Sequence, residues 1–386
     1  GGGGARLSNA RSFSLCQAIG GVQGRGRGCP EGGFQGREVV VARRRLTKRQ
    51  RDRVAQIQAR RRAKVASAPG VGDEAGLRPE QQGLVIANFG AALVVEDDAG
   101  ALYHCALRQN LGLAVCGDRV VFQVDGTGGG VVVAIADRHS ALARLDAQGF
   151  PKPMAANVDQ LVVVVAPVPE LDEFLVDRYV VASAELAATT LLVVNKVDLL
   201  TAEARAALEG RLEVYRAIEC PVLWLSAQAV AGMDALAAAL QHRTSILVGQ
   251  SGVGKSSLVN ALLPNREVRV QAVSAATGRG THTTTTATLY HLPAGGDLID
   301  SPGVRSARGF ELGPLTPEGL NRGFPDLQAF AGHCRFANCS HRQEPDCAVQ
   351  GAMARGAVDP RRLASYHHLK DLLQQRDEAH RGEDYS

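Results

Sequence analysis

The sequence predicts a multidomain α/β protein of three folded parts: an OB-like β-barrel, a doubly wound parallel sheet and a helical C-terminal part. Three observations carry this prediction. Five short strand-like runs punctuated by Gly and Asp fill residues 83–136, from Asn157 buried apolar runs alternate with helical patterns, and three of the eight cysteines crowd between Cys334 and Cys347. The boundaries that follow are 1–82 for a leader and arm, 83–140 for the barrel, 150–308 for the sheet domain and 309–386 for the C-terminal domain.

Taken in order, Gly1–Gly36 holds twelve glycines and no apolar core of a signal peptide, so it is expected to be disordered. Arg43–Lys64 differs, with 11 basic residues in 22 against the single acid Asp52. The formal net charge of +4 conceals this asymmetry, because residues 1–64 sum to +13 and the rest to −9. A basic arm on an acidic body reaches for a polyanion, and the arm is expected to bind RNA and turn helical as phosphates neutralise it. A low-complexity linker, Ala66–Gln82, follows. The barrel runs are GLVIANF, ALVVED, ALYHCAL, DRVVFQV and VVVAIA, a spacing that suits a small closed barrel.

No apolar run approaches the roughly 18–20 residues of a spanning helix, so no membrane role is expected. Scattered cysteines in a long chain point to a reducing, cytoplasmic setting, and a monomer is expected.

In the sheet domain, LVVVVAP, TTLLVVN, PVLWLSA and TSILVGQ read as strands separated by helices, the pattern of a parallel doubly wound sheet. The chemistry lies at strand ends. Gly249, Gln250, Ser251, Gly252, Val253, Gly254, Lys255, Ser256 and Ser257 match a P-loop between a strand and a helix. Its amides and helix N-terminus suit phosphates, Lys255 the terminal phosphates and the Ser256 hydroxyl Mg²⁺.

Asn195, Lys196, Val197 and Asp198 close the second strand. There Asp198 can accept two hydrogen bonds from guanine, a donor pair adenine lacks. Lys196 can lie along the ring, Asn195 can brace the loops, and Ser226-Ala227 can offer an amide to guanine O6. Asp300 and Gly303 of DSPG supply an acid for the Mg²⁺ shell and an amide for the γ-phosphate. Between lies GRGTHTTTT (278–286), in which one threonine, taken as Thr284 although Thr281 to Thr286 remain open, would complete Mg²⁺ coordination.

These motifs define a GTPase in an unusual order. The base-reading motifs precede the P-loop, so the domain is a circularly permuted P-loop GTPase. Sites built from loops at one sheet edge survive permutation.

At these residues the chain resembles the circularly permuted bacterial family known as ribosome small subunit-dependent GTPase A. The resemblance runs from about Arg43 to His380 and includes the LTKRQ arm, the barrel, the permuted motifs, GRGTHTTT and the cysteine cluster. It implies a late assembly factor that docks on the small ribosomal subunit and its rRNA. GTP hydrolysis, stimulated by the subunit, would be coupled to release. Val304 stands where many GTPases carry a water-orienting Gln, and the resemblance implies that His282 acts instead. It also implies that Cys334, Cys339, His341 and Cys347 hold one structural Zn²⁺, a closed four-ligand set; His333 is a rival ligand by residue type, but as the direct neighbour of Cys334 it would strain the chelate. A ribosome-binding scaffold with GTP as a regulatory ligand, and a P-loop ATPase or kinase, are the alternatives.

Overall fold

Apolar alternation along residues 81–135 closes a five-stranded barrel from β1 (Gln81–Asn88), β2 (Ala92–Glu96), β3 (Leu102–Leu107), β4 (Arg119–Val124) and β5 (Gly129–Ile135). A computed structural model describes residues 56–63, 79–90, 92–125, 128–145, 151–264, 287–300 and 315–383, all within one unit, Thr47–Ser386. In the barrel β1 pairs with both β2 and β4, β3 pairs parallel with β5, and a bulge at Val85/Ala87 bends β1 between its partners. Val85, Leu93, Cys105, Phe122 and Val132 fill the interior.

Helix α1 (56–63) belongs to the basic arm. Arg62 donates to Ile135 O at 3.0 Å and pairs with Asp137 at 2.7 Å, and Arg61 lies 3.7 Å from Glu80. The arm, expected to turn helical as phosphates neutralise it, is already helical over residues 56–63. Glu80 and Asp137 supply the carboxylates that partner Arg61 and Arg62 there. Residues 1–55, Lys64 and the linker to residue 78 lie outside the described residues.

A hairpin that the sequence patterns did not reveal, β6 (Ala141–Leu145) with β7 (Pro151–Ala156), leads from the barrel to the large sheet. There β8 (Gln160–Val165), β9 (Thr189–Val194), β10 (Val222–Trp224) and β11 (Thr244–Val248) are joined by β12 (Thr288–His291) and β13 (Asp297–Asp300) in the order β10-β9-β8-β11-β13-β12. The pairs among β10, β9, β8, β11 and β13 are parallel, but β12 runs antiparallel to β13, a departure from the all-parallel expectation. The connection Leu292–Gly296 is far too short for a crossover, which takes a dozen or more residues.

Strand residues alternate between two buried faces. Leu161, Val163 and Val165 meet α2 (Glu173–Glu185) and α3 (Ala202–Ala217), while Val162 and Val164 meet α4 (Met233–Leu240) and α5 (Lys255–Leu262). Asp172 caps α2 by accepting from the Leu175 amide at 3.1 Å, and Thr201 caps α3 through Ala204 at 3.2 Å. The C-terminal part is α6 (Pro317–Arg322), α7 (Pro325–Ala331), α8 (Ala348–Ala354) and α9 (Pro360–Glu383). Leu320, Phe324, Val349 and Leu369 form its core together with Val181 of α2. Among the described residues no helix is long and apolar enough to cross a membrane.

Candidate functional site

The loops singled out by sequence meet at the carboxyl edge of the parallel strands, where ligands of doubly wound sheets bind. Gly249 leaves β11 with φ 132°, and a Cβ there would lie 2.2 Å from Val164 O. Gly254 opens α5 with φ 96°, where a Cβ would meet Asn195 Nδ2 at 2.3 Å. A side chain at either position would push the loop apart. Val253 is buried beneath the loop, Gln250 is half-buried, and Ser251, Gly252, Ser256 and Ser257 are exposed.

Asn195 is buried at the end of β9. Its Nδ2 donates to Val253 O at 2.9 Å, and its Oδ1 accepts from the Ala227 amide at 3.1 Å. One side chain thus ties the P-loop to the Ser226–Ala227 loop. Ser226 is buried and turns that loop by accepting from the Ala229 amide at 3.1 Å. Lys196 has φ 62° and donates to Gly252 O at 2.6 Å and Val168 O at 2.9 Å. Asp198 stands exposed on the single turn Val197–Leu199. Lys255 is buried, with its ammonium 2.7 Å from Gly249 O and 2.5 Å from Gln250 O.

Asp300 is buried at the end of β13, the strand beside β11. Ser256 and Asp300 therefore offer hard oxygen donors from adjoining ends of neighbouring elements, the donor type that Mg²⁺ takes. His282, Thr284 and Gly303, with Val304, lie outside the described residues.

Cys334, Cys339, His341 and Cys347 bring their ligand atoms within 4.8 Å of one another. Cys334 Sγ is 3.5 Å from His341 Nδ1 and 3.9 Å from Cys347 Sγ, which is 3.6 Å from Nδ1. A tetrahedron with metal–sulfur bonds of about 2.3 Å has edges of about 3.8 Å, so these donors fit a closed tetrahedral ion. Burial and the nearby Lys370 lower the His341 pKa, a direction that favours the neutral imidazole a ligand needs. His333 is exposed and outside the cluster. Cys339→Ser is expected to reduce bound metal from about one ion per chain to well below that, and metal analysis of the two purified proteins checks it.

A family model described as RsgA GTPase matches residues 135–309. The small ribosomal subunit biogenesis GTPase RsgA of Azotobacter vinelandii is 47% identical over 337 residues, covering 85% of this chain and 97% of that protein. The chain belongs to the RsgA GTPase family. The RsgA of Ectopseudomonas mendocina is 45% identical over 345 residues, 87% of this chain and all of that protein. Among solved structures, YjeQ from Thermotoga maritima aligns with a TM-score of 0.62 at 30% identity, covering 76% of this chain and 99% of that one. YloQ, described as a circularly permuted GTPase, aligns at 0.58 and 27% identity, over 77% and 96%.

Within this RsgA GTPase fold the sequence patterns missed several residues. Glu344 shapes the ligand loop by accepting from the Ser340 amide at 2.6 Å and the Arg342 amide at 3.0 Å. Contacts with Ser340 hold its carboxyl well below the usual range. An acid inside a ligand-bearing loop was the available signal. The basic C-terminal helix, left open between RNA and solvent, uses part of its charge within the protein. Arg361 meets Asp359 and Glu173, His368 stacks on Phe174, and Arg362 is buried.

Proposed function

We propose that the chain is a GTP hydrolase of small ribosomal subunit maturation whose turnover is stimulated by that subunit and coupled to its own release. The Asn195 bridge carries the reading, because it holds the P-loop to the Ser226–Ala227 loop at one sheet edge, next to the turn that bears Asp198. Support for the biological setting comes from the relatives named small ribosomal subunit biogenesis GTPase.

In this reading Asn195, Lys196, Val197, Asp198, Ser226 and Ala227 hold the guanine. Gly249 to Ser257 and Gly303 enclose the phosphates, and Lys255 neutralises charge moving onto the leaving oxygens. Ser256 and Thr284 would hold Mg²⁺, with Asp300 in its shell, and the ion supplies charge neutralisation when bound. His282 orients the attacking water when the protein is bound to the subunit. Cys334, Cys339, His341 and Cys347 hold a structural Zn²⁺. The arm and barrel face rRNA, with Arg61 and Arg62 partly engaged on the barrel, and the protein works as a cytoplasmic monomer.

Asp198→Asn tests the base assignment. The variant is expected to lose GTP affinity by about 10²-fold or more and to gain affinity for xanthosine triphosphate, because the amide offers a donor where guanine also offers one. Equilibrium binding of both nucleotides measures it. Unaltered GTP affinity removes Asp198 from this role.

A further inference from the structure

Outside the nucleotide loops, one cluster of titratable side chains joins the barrel to the sheet. His291, the last residue of β12, lies between two carboxylates: Nδ1 is 2.5 Å from Asp297 Oδ1, and Nε2 is 2.9 Å from Glu96 Oε2. Asp297 is its cross-strand partner on β13, whereas Glu96 is a buried residue at the end of barrel strand β2. Hydrogen bonds from the imidazole to Asp297 and Glu96 favour its protonated form and raise its pKa to about 9. His291 and Glu96 line a cavity of about 570 Å³ together with Arg62 of α1, Arg119 of β4 and Asp97 and Asp98 beyond β2.

The other end of this short hairpin carries Asp300. Thr288 is the cross-strand partner of Asp300 and also pairs with Ala87 of β1. The barrel therefore grips the hairpin twice, through backbone opposite Asp300 and through the ion pair at His291. These two strands are only four residues each, so fixing their far end fixes the register that sets Asp300.

We propose that His291 is a positioning residue that, clamped to Glu96, couples the barrel to Asp300 and thereby to Mg²⁺ affinity at the nucleotide. The proposal rests on the reading of Asp300 as part of the Mg²⁺ shell. Its consequence is directional: whatever the barrel binds acts on the metal-bearing strand through the Glu96–His291 contact.

The folded pKa of about 9 lies above the ordinary value of 6.5. The clamp is therefore complete below about pH 6.5 and is lost as pH rises through about 9. The test is Mg²⁺ titration of the full chain loaded with a non-hydrolysable GTP analogue, from pH 7.5 to 9.5. The wild type is expected to weaken across this range. His291→Gln and Glu96→Gln are each expected to weaken Mg²⁺ binding about fivefold or more at pH 7.5, to flatten the pH profile, and to be non-additive when combined.

A flat wild-type profile, or two variants that keep both the affinity and the profile while Asp300→Asn weakens Mg²⁺ binding, overturns the coupling. Mg²⁺ affinity unchanged in Asp300→Asn instead overturns the underlying reading of Asp300, and the coupling with it.

Discussion

Arg362→Leu is expected to destabilise the protein by about 3–5 kcal/mol, the range for removing one partner of a buried ion pair. Arg362 is only 1% exposed and reaches Asp177 of α2 at 2.8 Å, Asp326 of α7 at 2.7 Å and Gly323 O at 3.0 Å. Its guanidinium also lies over the Phe324 ring, 4.2 Å from the centroid. Burial works against the charge, but hydrogen bonds and attraction from Asp326 and Asp177 outweigh it and raise the pKa above the usual arginine value. Without the guanidinium, Asp177 stays buried with no counter-charge, and burial already pushes its carboxyl upward. Denaturant midpoints at constant m-value measure the loss. Replacing Arg362, Asp177 and Asp326 together by apolar residues is expected to restore much of it, because the larger cost is the unpaired charge. A loss below about 1 kcal/mol in the single variant would place this network among ordinary surface pairs. The network also bears on mechanism: it fastens α7 and α9 to α2, so nucleotide-driven motion is expected in the loops rather than across this seam.

Lys255→Ala is expected to lower GTP turnover by about 10²–10³-fold, the usual cost of removing one preorganised charge donor from a reacting group. The ammonium is held among the Gly249 and Gln250 carbonyls at 2.7 and 2.5 Å and is only 6% exposed. Lys255→Arg is not expected to rescue, since a planar guanidinium does not fit an enclosed point-charge site. Single-turnover hydrolysis at saturating GTP separates this loss from weaker binding. A rate within about threefold of wild type would take Lys255 out of the charge-neutralising role.

Much of the fold was legible because its signals are local. Leu161–Val165 reads as a strand buried on both faces, and it is one; the P-loop glycines sit between β11 and α5, as the flanking apolar patterns require. The donors of the cysteine cluster converge because all four fall within one short loop region. What escaped depends on distant partners. The roles of Arg362 and His291 are set by residues such as Asp177 and Glu96, more than a hundred positions away, and no periodicity encodes such pairings. The contacts of helix α1 escaped in the same way, since Arg62 finds Ile135 O and Asp137 more than seventy positions away. The β6–β7 hairpin was lost between two clearer patterns, because Pro151 and Pro153 demote the signal of a strand.

The central claim is that this chain hydrolyses GTP slowly alone and rapidly on its ribosomal partner. GTP turnover by the full chain, measured with and without purified small ribosomal subunits at matched Mg²⁺ and salt, tests it most directly. The account predicts that subunits raise the rate by more than about tenfold, as expected when a partner orders a catalytic loop. Subunits that bind the protein yet leave turnover unchanged would contradict it and favour a scaffold that carries GTP only as a regulatory ligand.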